Sequence, residues 1–89
     1  MKLKCTCEKD YSDCIENHSD KIIIIKFSAT WCGPCKKLSP LVEKISDSRD
    51  DIVLLDVDVD TNSELCNKFN VKSIPHCLVK YKETETNPV

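Results

Sequence analysis

A chain of 89 residues has room for one domain, and its 13 basic and 15 acidic side chains leave a net charge of −2 with both signs interspersed. That balance argues against nucleic acid or an acidic membrane as partner. Met1-Lys2-Leu3-Lys4-Cys5 leads into no apolar signal segment, and the longest apolar run, Ile22 to Ile25, is far short of the roughly 20 residues a membrane span needs. A cytoplasmic location is therefore expected. The seven cysteines are odd in number and irregular in spacing, so Cys5, Cys7, Cys14, Cys66 and Cys77 are read as free thiols in a reducing compartment.

In chain order, Leu3 to Cys5 suits a short strand, and Tyr11, Cys14, Ile15 and His18 recur at helical spacing as one stripe of a helix ending near His18. Asp20-Lys21 turns the chain. Ile22 to Ser28 is β-branched and apolar apart from Lys26, the pattern of a central strand buried on both faces. Leu38, Leu41, Val42 and Ile45 keep a 3.6-residue period, predicting a helix from about Pro34 to Ser48 that Pro40 should kink. Ile52 to Val59 reads as a second strong strand. Asn62 or Ser63 then caps a short helix carrying Leu65, Cys66 and Phe69. Ile74-Pro75 breaks the chain before a last strand from Cys77 to Tyr81. Residues 1–82 form the expected domain, and 83–89 are too polar to bury anything and should be disordered. The alternation of strands and helices predicts an α/β sheet with helices on its faces.

Cys32 and Cys35 enclose Gly33-Pro34 where the central strand gives way to a helix, a context that suggests redox chemistry. Unpaired backbone N–H groups and the helix dipole favour an anion there, so Cys32 is the expected nucleophile, its pKa drawn below the ordinary value of about 8.5. Two intervening residues keep Cys35 close enough to close a disulfide, Pro34 stiffens the small ring, and Gly33 leaves room for a substrate backbone. Attack by Cys32 on a disulfide gives a mixed disulfide that Cys35 resolves. A zinc site using Cys5 and Cys7 as a second ligand pair is disfavoured, because Cys-x-Cys on a strand lacks knuckle spacing; no metal is expected.

Phe27-Ser28-Ala29-Thr30-Trp31-Cys32-Gly33-Pro34-Cys35-Lys36, then Pro40, Val57-Asp58-Val59-Asp60, Val71-Lys72 and Ile74-Pro75, together resemble the thioredoxin family, most closely its cytosolic animal type. The resemblance implies a mixed central sheet flanked by helices and protein-disulfide reductase activity through Cys32 and Cys35. It implies no bound cofactor, with electrons arriving from NADPH through a separate flavoprotein, thioredoxin reductase. It also implies a cis Ile74-Pro75 bond facing the cysteines, with the Ile74 backbone pairing to an extended protein substrate. Trp31, Pro34, Val59 and Pro75 would form the apolar contact surface.

The chain departs from the family pattern in several places. Lys26 stands where the family usually has a buried Asp. A charged Lys26 favours a thiolate at Cys35 without accepting its proton, a neutral amine would act as a base, and a long stem would let its head reach water. We expect an ion pair with Asp56 that keeps Lys26 charged. His76 replaces a usual Thr, as an imidazole near the cysteines or as an inert surface group. Cys66 and Cys77 occupy small or apolar positions, as packing or as regulatory thiols. Cys5 and Cys7 are expected to point the same way on one strand, too constrained to bond each other. The chain is expected to lack the family's last strand and last helix, which would leave an exposed edge and an apolar face through which a homodimer would form. That shortening sustains a competing reading: a weakly catalytic or non-catalytic binding module that traps thiol partners.

Overall fold

A computed structural model describes residues 1–81 and 84–86. The elements are β1 (Lys2–Cys5), α1 (Glu8–Asn17), β2 (Ile22–Ser28), α2 (Gly33–Ser48), β3 (Ile52–Asp58), α3 (Ser63–Lys68), β4 (His76–Tyr81) and β5 (Thr84–Thr86). The strands form one sheet in the order β1-β3-β2-β4-β5. β3 is parallel to β1 and β2, whereas β4 runs antiparallel to both β2 and β5, so the sheet is mixed and β2 lies at its centre.

The period-2 geometry of these strands sends alternate residues to opposite faces. Ile23, Ile25 and Phe27 of β2, with Val53, Leu55 and Val57 of β3, build the principal core together with Tyr11 and Leu65. Phe69 closes it edge-on against both Tyr11 and Phe27, with ring centroids 5.3 and 6.0 Å apart. Lys26 falls on the other face, where the register sets it opposite Asp56 of β3 and Cys77 of β4. α2 packs against β3 and β1. Its buried Ser46 fastens the N-terminus, the hydroxyl donating to the Met1 carbonyl at 3.0 Å and accepting from the terminal amine at 3.3 Å.

Several expectations need correction. α2 is continuous through Pro40, whose missing N–H leaves the carbonyl of the exposed residue Lys36 without its helical donor. Asn62 precedes α3 but makes no side-chain cap. Its buried amide instead donates to the Cys5 and Asp58 carbonyls at 3.0 and 2.9 Å, tying β1 to the end of β3. Cys7 lies beyond β1 at the start of α1 and is exposed, whereas Cys5 is buried, so the two do not share a strand.

Thr84–Thr86 pair with β4 although a polar tail was expected there; the open edge of β4 supplies the backbone partners that composition alone does not reveal. The remainder of the expected tail, 83 and 87–89, lies outside the described residues. Among the described residues no helix follows β4, and Leu41 and Ile45 of α2 stand 62% and 49% exposed. No helix among the described residues is long and apolar enough to cross a membrane.

Candidate active site

β2 ends at Ser28, and a short link carries the chain to Cys32, whose backbone is extended (φ −86°, ψ 109°) and serves as N-cap of α2. The Cys32 amide is fixed by the Ala29 carbonyl at 3.2 Å. Pro34 sits in the first helical turn, where the absent N–H costs nothing. Cys35 follows one residue later, and its amide donates to Cys32 Sγ at 3.2 Å. The two cysteines form a disulfide with Cα atoms 5.3 Å apart, and both are buried. The sulfur expected to carry the nucleophile thus occupies the place where an N-cap oxygen would accept a backbone N–H.

Val59 and Ile74 pack against the disulfide together with Ala29. The same two residues, with Trp31, Cys66 and Val71, border an open groove of about 480 Å³. The peptide bond between Ile74 and Pro75 is cis. Trp31 is 66% exposed yet anchored, its indole donating to Asp60 Oδ2 at 3.0 Å. A methyl group built on Gly33 meets nothing within 4 Å, so the rim beside Cys32 faces open space. Pro34 is exposed on that rim, while Pro75 is half-buried and does not border the groove. The structure therefore gathers Cys32, Cys35, Val59 and Ile74 around one apolar surface, with Trp31 at its side.

Around Lys26 the arrangement is polar. The Lys26 side chain is 3% exposed and its Nζ lies 3.5 Å from Asp56 Oδ1, which overturns the reading in which the lysine head reaches water. The ammonium also donates to Ser39 Oγ at 2.7 Å, and that hydroxyl donates to the Cys35 carbonyl at 2.8 Å. Ser28 Oγ donates to Asp56 Oδ1 at 3.3 Å. Ser39 was not singled out from the sequence, although its position four residues after Cys35 places it on the same helix face. A polar cleft of about 260 Å³ opens onto these groups, with Lys4, Glu43 and Asp58 along its sides.

The His76 ring packs edge-on against Phe27 with centroids 5.9 Å apart, on the side of the sheet opposite Lys26. Five cysteines are free. Burial pushes the Cys14, Cys66 and Cys77 thiols up, Cys77 being pulled back partly by the Lys26 charge, and it carries Cys5 to about 11. Among the described residues no three His, Cys, Asp or Glu side chains gather in a metal-holding arrangement.

A mixed sheet that presents a Cys-x-x-Cys disulfide on the first turn of the helix leaving its central strand is a dithiol–disulfide protein with the thioredoxin fold. Comparison with known proteins reaches the same class. The family model described as Thioredoxin matches residues 2–88, and the chain belongs to that family. Thioredoxin-1 of Caenorhabditis elegans is 43% identical over 68 residues, 76% of this chain and 59% of that protein. A bifunctional thioredoxin reductase/thioredoxin of Mycobacterium leprae is 47% identical over 62 residues, 68% of this chain and 14% of its own length. The crystal structure of Fasciola hepatica thioredoxin superposes with a TM-score of 0.88 at 27% identity, covering 94% of this chain and 81% of that one. The chain thus spans about three-fifths of the nematode relative.

Proposed function

We propose that this chain is a thiol–disulfide oxidoreductase that reduces protein disulfides in the cytoplasm, with Cys32 as nucleophile and Cys35 as resolving thiol. The observation that carries the reading is the placement of Cys32 Sγ as the N-cap acceptor of α2, 3.2 Å from the Cys35 amide. In the reduced protein a thiolate there gains a backbone N–H and the positive end of the helix dipole, whereas a thiol gains little. Cys32 attacks one sulfur of a substrate disulfide and expels the other as a thiolate, which takes a proton from solvent. Cys35 then attacks Cys32, re-forming the Cys32–Cys35 bond and releasing the second substrate thiol. Two electrons have passed from the protein dithiol to the substrate.

The groove bordered by Trp31, Val59 and Ile74 would hold an extended apolar segment of the substrate, with Val59 and Ile74 packed against the disulfide. No bound cofactor is required by this chemistry. Electrons would return from NADPH through a separate flavoprotein reductase, a partnership favoured by the Mycobacterium leprae relative, whose name joins the two activities in one chain. Insulin reduction with NADPH and a thioredoxin reductase tests the proposal. The intact chain should turn over many times, Cys35→Ser should accumulate a mixed disulfide and stop, and Cys32→Ser should be inert. Equal one-to-one trapping by the intact chain and Cys35→Ser would instead favour the binding module.

A further inference from the structure

Lys4, Asp56, Lys26 and Cys77 form a row across β1, β3, β2 and β4, each opposite the next in the strand register. Charge alternates along the row until it meets a buried thiol. Cys35 and Ser39, one turn apart on α2, are joined to Lys26 through the serine hydroxyl. Ser39 has a single hydroxyl proton and gives it to the Cys35 carbonyl, so its contact with Nζ is one in which the lysine donates. Asp56 only accepts. Nζ thus faces two acceptors, Ser39 Oγ at 2.7 Å and Asp56 Oδ1 at 3.5 Å, surroundings that suit an ammonium.

We infer that Lys26 is a positioning residue that fixes a positive charge one serine hydroxyl away from the second cysteine and favours the Cys35 thiolate during resolution, in place of a proton-accepting base. The inference rests on the oxidoreductase reading. The Cys35 thiol gives its proton to solvent, and its thiolate attacks Cys32 of the mixed disulfide. The Cys32–Cys35 bond forms, the bond from Cys32 to the substrate breaks, and the departing thiolate takes a proton. Asp56 and Asp58 from β3, Ser39 and Glu43 from α2, Lys2 and Lys4 from β1, and Cys77 from β4 are the titratable and polar groups that neighbouring elements bring to the Lys26 cleft. Burial pushes the Cys77 thiol up, and the Lys26 charge opposite it in the register pulls it part of the way back.

The test titrates Cys35 in the reduced protein by NMR of isotope-labelled cysteine Cβ, and follows decay of a pre-formed mixed disulfide. Lys26→Met should raise the Cys35 midpoint by about one pH unit and slow resolution at neutral pH about tenfold. Lys26→Arg keeps the charge and should stay near the parent in both readouts. Lys26→Gln is the second neutral variant should Lys26→Met not fold. An unmoved Cys35 midpoint in a folded neutral variant, or an equal shift in Lys26→Arg, overturns the assignment. If the intact chain holds the mixed disulfide as long as Cys35→Ser does, it is the oxidoreductase reading that fails, and the Cys35 titration still reports the charge.

Discussion

Removing the two halves of the Lys26–Asp56 pair should have unequal costs. At 3.5 Å the Coulomb attraction is about 5 kcal/mol for an effective dielectric near 20, offset largely by the desolvation of both ions. The Lys26 side chain is 3% exposed and that of Asp56 25%, so the lysine bears the greater desolvation. Asp56→Asn strands the ammonium with Ser39 as its remaining described partner, and the expected loss is about 3 kcal/mol, the low end for breaking a buried pair because the cleft admits water. Lys26→Met replaces the ammonium by an apolar side chain of similar length and leaves a carboxylate that water and Ser28 still reach. Its expected cost is under about 1 kcal/mol. Adding Lys26→Met to Asp56→Asn should recover most of the loss. Urea unfolding of the four proteins in a double-mutant cycle reads this as midpoint changes at constant slope. A Lys26→Met penalty equal to or larger than that of Asp56→Asn, or an Asp56→Asn variant as stable as the parent, would refute the reasoning.

Leu65 is fully buried on α3, a helix of 6 residues too short to persist alone, so Leu65→Ala should cost about 3 kcal/mol in urea unfolding and speed amide exchange along the groove wall at Cys66 and Asn67. The Cys5 thiol, raised by burial from 9.0 to about 11, stays protonated in the fold after the unfolded chain has begun to lose that proton. Its contribution is therefore complete below about pH 9 and lost as pH rises toward about 11. Cys5→Ala should flatten the alkaline slope of the urea midpoint without removing its offset.

The strands and the dithiol were legible because both depend on neighbours in the chain. The apolar run of β2 follows from pleat geometry, and residues 32 to 35 lie together because a helix start holds them so, whatever else the chain does. His76 illustrates the limit. Its place after Pro75 says nothing of what the ring meets, whereas antiparallel pairing sets it opposite Phe27 with its ring edge-on to that side chain. Asn62 is similar: a good N-cap residue locally, it makes no side-chain cap, and its buried amide donates to the Cys5 and Asp58 carbonyls, partners that local sequence does not reveal.

From sequence alone came the α/β class, the central place of β2 and the sulfur chemistry at residues 32 and 35, all consequences of local periodicity and spacing. Tertiary structure decided the surroundings of that chemistry. Lys26 meets Ser39 from 13 residues away and Asp56 from a neighbouring strand, and the polar Thr84–Thr86 segment becomes β5 by pairing antiparallel with β4. Such contacts depend on strand register and on how a helix lies over the sheet, and no stretch of chain short enough to read locally contains both partners.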